Sequence, residues 1–153
     1  MIGRLYTVAI GAQAQTTAKT LIEVASAADS VTLIERLYLK QSSFDTSENL
    51  GVKVQRITTT GTGTATTPEP LQVGDAAFGG TVETNSTIEP TYTANTEIIE
   101  DGFNVLSGYL WTPASDDEVI TLSPSALCGF SLDVAPSASM NFHYGCTIRE
   151  IGG

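Results

Sequence analysis

The feature that most constrains this chain is a strict alternation near its C-terminal end. Cys128, Phe130, Leu132 and Val134 alternate with Gly129, Ser131 and Asp133. Further on, Met140, Phe142, Tyr144, Cys146 and Ile148 alternate with Asn141, His143, Gly145 and Thr147. A period of two sends successive side chains to opposite faces, so each stretch reads as a strand with one buried face. Residues 135–139 read as the turn between them. An antiparallel hairpin centred on Ser137 sets Val134 against Met140, Leu132 against Phe142, Phe130 against Tyr144 and Cys128 against Cys146. A slip of one residue would put the two apolar sets on opposite faces. The expectation is therefore a hairpin with the two cysteines directly opposed, as buried free thiols.

The rest of the chain carries the same signature more weakly. Residues 4–10, 17–24, 31–39, 50–58, 103–111 and 118–122 are rich in β-branched and aromatic residues and read as strands. Residues 31–39 also fit a helical spacing through Leu33 and Leu37, but their β-formers favour a strand. Gly11-Ala12-Gln13 reads as a turn, and residues 41–49 as a polar loop. Residues 81–96 read as extended chain with one or two short strands. About eight strands without a clear helix imply an all-β fold, a β-sandwich of jelly-roll or Greek-key type, in a single domain of 153 residues. Residues 59–70, TTGTGTATTPEP, are low in complexity and read as an extended loop that orders against a partner.

Charge narrows the function classes. The net charge is -10, with 7 basic and 17 acidic residues. Between Arg56 and Arg149 there is neither Lys nor Arg. Such a surface repels nucleic acid. No stretch approaches the length of a membrane span, and the first residues lack the apolar run of a secretory leader. The expectation is a product of the cytoplasm that stays there or leaves by lysis or assembly, where opposed cysteines remain reduced.

Catalytic and metal-binding constellations are tested and fail on spacing. His143 is the only histidine; it falls on the polar face of its strand, while Cys146 falls on the other, so no Cys-His pair forms. Two cysteines and a distant histidine do not make a zinc site. Asp116-Asp117-Glu118 reads as a solvated loop without the pattern of a calcium loop. GTGTATT has no lysine and opens no helix, so it is not a phosphate loop. No catalytic, cofactor-binding or metal-ligating residue is expected. Trp111, with Tyr109, is the one candidate for a carbohydrate-stacking platform.

The segment Pro68-Glu69-Pro70-Leu71-Gln72-Val73-Gly74-Asp75-Ala76-Ala77-Phe78-Gly79-Gly80-Thr81-Val82-Glu83-Thr84-Asn85-Ser86-Thr87 resembles a family of small proteins encoded among the head and structural genes of tailed bacteriophages. The start at Arg4-Leu5-Tyr6, the stretch from Phe103 to Trp111 and the terminal Arg149-Glu150-Ile151-Gly152-Gly153 extend that resemblance along the chain. It implies a virion protein that decorates or cements the capsid shell, without catalytic residues. The implied partner is the major capsid protein of the same phage, with homo-oligomers, trimers among them, and neither nucleic acid nor membrane. The interaction surface is expected at Thr60, Thr62, Thr64, Thr66, Pro68, Pro70, Phe78 and Trp111. A carbohydrate- or receptor-binding module of a tail or fibre is the alternative.

Overall fold

A computed structural model describes residues 2–43 and 46–152. Met1, Gly153 and, within the expected polar loop, Phe44 and Asp45 lie outside the described residues. The strands are β1 (Arg4–Gln15), β2 (Lys19–Ala25), β3 (Ser30–Gln41), β4 (Asn49–Thr59), β5 (Thr62–Thr66), β6 (Glu69–Pro70), β7 (Thr81–Ile88), β8 (Thr91–Asn104), β9 (Tyr109–Trp111), β10 (Ile120–Leu122), β11 (Leu127–Leu132) and β12 (Met140–Gly152). A single 3-10 turn, Asp116–Glu118, is the helical content of the described residues.

The strands form two antiparallel sheets packed into a β-sandwich. The first sheet runs β10-β3-β12-β1-β6, with β9 also paired to β3; the second runs β5-β7-β2-β11-β4-β8. The chain changes sheet at most connections, so sequence neighbours such as β1 and β2, or β3 and β4, face each other across the core. Inward rows from the first sheet include Tyr6, Val8, Leu37, Leu39, Phe142, Tyr144 and Ile148. They meet Leu21, Ile22, Val24, Val52, Val54, Phe130 and Leu132 from the second, all 3% exposed or less. Burying each large side chain is worth about 1.5–3 kcal/mol, so these rows hold the sheets together.

The structure corrects the expected hairpin. The alternation assigns the right face to Cys128, Phe130, Leu132, Met140, Phe142, Tyr144, Cys146 and Ile148, which are all buried, but not to Val134, which lies past the end of β11 and is 47% exposed. The partners differ. β11 lies in the second sheet between β2 and β4, with Cys128 opposite Val24 and Arg56. β12 lies in the first sheet between β1 and β3, with Cys146 opposite Val8 and Leu37. Residues 133–139 arch across the end of the sandwich. Asp133 N–H donates to Gly51 O at 2.8 Å, and Ser137 N–H and Oγ–H donate to the Glu48 carboxylate at 3.0 Å each. Both strands are central and apolar on one face, and two sheets offer such strands equally good partners. Both cysteines are free and buried.

Three further expectations change. The expected turn at residues 11–13 is a bulge between Ile10 and Gln13, so β1 runs on to Gln15. The stretch 103–111 is broken by a turn. Ser107 and Gly108 N–H donate to Asn104 O, Leu106 N–H donates to Asn104 Oδ1 at 3.0 Å, and Gly108 takes a φ of 74°. Such side-chain acceptance two residues on is how Asn ends a strand. Residues 59–70 contain strands: β5 pairs with β7 and β6 with β1.

Candidate functional site

The Thr-rich segment forms one lateral corner of the sandwich. β5 is an edge of the second sheet, and two residues later the chain enters the first sheet as β6. Pro68, between them, is buried. Alternating glycine and threonine suit this position. A Cβ on Gly61 would stand 2.3 Å from Ile88 O, and one on Gly63 2.7 Å from Thr84 O, so only glycine lets β5 lie this close to β7.

Carboxylates from the second sheet pin the strand. Gly61 N–H donates to Glu23 Oε2 at 3.1 Å and Gly63 N–H to Glu83 Oε2 at 2.9 Å. Glu89 accepts from Thr20 N–H and Oγ–H, the latter at 2.6 Å. Glu23 and Glu83 are directly opposed on β2 and β7, and Glu23 is only 4% exposed. Burial raises the Glu23 carboxyl above its ordinary value; the Gly61 N–H partly offsets this, and the negative charges of Glu83 and Glu89 raise it further. Thr66 and Thr84 hydroxyls bond at 2.9 Å.

Beside β5 lies a recess of about 230 Å³ lined by Ala65, Thr66, Pro68, Phe78, Gly80 and Val82, among others. Phe78 packs edge-on against Tyr6, with centroids 5.4 Å apart, and its ring lies against Gly80, where a Cβ would approach it to 2.8 Å. The segment bearing Phe78 is tied down from beneath. Tyr6 O–H donates to Ala76 O at 2.9 Å. Gly79 N–H donates to Glu150 at 3.0 Å and Ser30 Oγ–H to the same oxygen at 3.2 Å. Glu150 is 2% exposed, so these donors stand in for lost water. Outside this base, a turn closed by Asp75 N–H to Gln72 O, with Gly74 at φ 97°, presents apolar side chains to solvent. Leu71 is 57% and Val73 100% exposed.

The eight residues expected at the interaction surface therefore divide. Thr60, Thr62 and Thr64 are exposed, and Thr66 and Pro70 are partly so. Pro68 and Phe78 are buried and form the base of the recess rather than its surface. Trp111 is elsewhere: β9 pairs with β3, opposite Leu37, at the other edge of the first sheet, and its ring packs against the core. Sequence reasoning missed the carboxylates that fix the corner. A glutamate inside the apolar run Leu21-Ile22-Glu23-Val24 was the available signal. His143 bonds Ser42 Oγ at 3.0 Å on the outer face of β12, and Asp116, Asp117 and Glu118 are exposed. No helix among the described residues is long and apolar enough to cross a membrane.

Compared with models of known families, with curated proteins and with solved structures, the chain matches none.

Proposed function

We propose that the chain is a structural component of a tailed-phage particle that binds the assembled capsid shell and stabilises it. The observation that carries this reading is the corner built by β5, β6 and the turn after them. It is fixed in place by Glu23, Glu83 and Tyr6, carries no Lys or Arg within residues 59–75, is rich in threonine hydroxyls, and is tipped by the exposed Leu71 and Val73. A preordered surface of this kind spends little entropy on docking. Hydroxyls are cheaper to desolvate than charges, and the exposed Leu71 and Val73 offer apolar area whose burial favours docking. The resemblance along residues 68–87 covers the same turn. Trp111 packs on the core, and no observation favours a stacking platform there.

The test is binding to purified shells lacking the protein, read by co-sedimentation and by reconstruction of the particle. Val73→Asp is expected to weaken binding about tenfold, or about 1.4 kcal/mol, with Tm unchanged because the side chain touches nothing that holds the fold. Absence of the chain from purified particles, or wild-type binding by Val73→Asp, would overturn the proposal.

A further inference from the structure

The outer side of β1 is only half covered. β12 pairs with β1 from Arg4 to Gln15 on one side. On the other, β6 pairs only at Tyr6 and Thr7, with one more bond from Leu71 N–H to Leu5 O. From Val8 to Gln15, no strand among the described residues pairs with this side of β1. An edge of this kind is a template for another strand, and proteins guard it with charges, prolines or very short strands. The other edges here are guarded. β8 carries Glu97, Glu100 and Asp101; β6 is two residues long and contains Pro70; β9 and β10 have three residues each; β5 has five and is held at Gly61 and Gly63. The open part of β1 reads Val-Ala-Ile-Gly-Ala-Gln-Ala-Gln, without a charge or a proline, in a chain of net charge -10.

We propose that this edge pairs with the same edge of a second copy, antiparallel, about a twofold axis between Gly11 and Ala12. The bulge fixes the register. Val8, Ile10, Gln13 and Gln15 are buried or partly buried, whereas Ala9, Gly11, Ala12 and Ala14 are exposed. Opposed residues of an antiparallel ladder share a face. Val8 against Gln15, Ala9 against Ala14, Ile10 against Gln13 and Gly11 against Ala12 satisfies this at every pair. A slip of one residue sets Ile10 against Ala14 or Ala12 and mixes the faces. The length fits as well. Gln15 of one copy falls opposite Val8 of the other, and the next residue, Thr7, is already taken by Glu69 of β6. Past Gln15 the chain leaves for the second sheet at Lys19, so it does not run into β6. Each open stretch is filled by the other, no carboxylate meets a carboxylate within the ladder, and the contact closes at two copies.

The pairing does not depend on shell binding, and it is tested on the purified chain. Sedimentation equilibrium is expected to give twice the 16.1 kDa chain mass. Ala12→Glu brings two carboxylates together beside the axis and is expected to weaken the dimer at least tenfold, with the circular dichroism of the fold retained. Ala9→Cys and Ala14→Cys read the register. Mixed and mildly oxidised, they are expected to form a covalent dimer, and each alone is not, because only Ala9 and Ala14 are opposed. A monomer at up to about 100 µM, where a micromolar dimer would be nearly complete, overturns the proposal. So does cross-linking by Ala9→Cys alone, or a monomer whose edge is filled by a strand of a different protein.

Discussion

Glu23 is the residue at which this structure works against itself. Its side chain is almost fully buried, faces Glu83 across the β2–β7 ladder and accepts from Gly61 N–H. Burial and the neighbouring charges raise its folded-state pKa above the ordinary 4.5. A carboxyl raised on folding binds its proton more tightly in the folded chain, so its ionised form costs stability at neutral pH. That cost is relieved as pH falls through the raised value towards 4.5. Glu23→Gln keeps an acceptor for Gly61 and removes the charge. It is expected to raise Tm at neutral pH, and the gain over wild type should shrink as pH approaches 4.5; equal melting curves at neutral pH would count against the reading. Tyr144 is a second such residue. Its hydroxyl is buried without a hydrogen-bond partner among the described residues, and burial pushes its pKa up to about 12. An unpaired buried hydroxyl costs about 1–3 kcal/mol. Tyr144→Phe should be neutral or stabilising in a thermal melt, and a clear loss of Tm would show the hydroxyl to be bonded.

Among the elements, β5 depends most on groups outside its own ladder. It has five residues, two of them small, and it joins β7 through a shifted register. The Glu83 carboxylate accepts Gly63 N–H from the side, a charge-assisted bond that a short edge strand lacks otherwise. Glu83→Ala is expected to speed hydrogen exchange about tenfold at residues 62–66 and leave the central β12 unchanged; equal protection at β5 would show the ladder to be sufficient. This dependence explains why the sequence of β5 reads as a loop. Its sequence, Thr-Gly-Thr-Ala-Thr, has no apolar row, and the carboxylates that hold it lie on β2 and β7. The central strands were legible because alternation is a local consequence of burying one face. Cys128, Phe130 and Leu132 point inward as their spacing requires. What alternation does not encode is which strand lies alongside. β11 and β12 are adjacent in sequence and apolar on one face, and the same pattern serves a hairpin or an arch between sheets. The contacts that select the arch, Ser137 to Glu48 and Asp133 to Gly51, join residues more than 80 apart in the chain.

The whole molecule is two sheets sharing one core, and the two thiols report on whether they separate together. Cys128 belongs to the second sheet and Cys146 to the first, and both lie in the same buried cluster. Burial pushes the thiols up to about 11 and about 12 respectively. The nucleophile is the thiolate, which burial disfavours at both sulfurs, so reaction in the folded state near neutral pH is expected to be slow, and no other cysteine is present to interfere. A reagent reaches either sulfur only when the sheets part. Phe130 and Leu132 of one sheet and Phe142 and Tyr144 of the other belong to one buried cluster, so parting the sheets exposes both sides of the core. Labelling of the native chain with a thiol reagent is therefore expected to be slow, with Cys128 and Cys146 modified at one common rate equal to that of global unfolding. Mass spectrometry of peptides from a labelling time course separates the two. Faster modification of Cys128 would show that the second sheet, whose edges β5 and β8 are the more irregular, opens without the first.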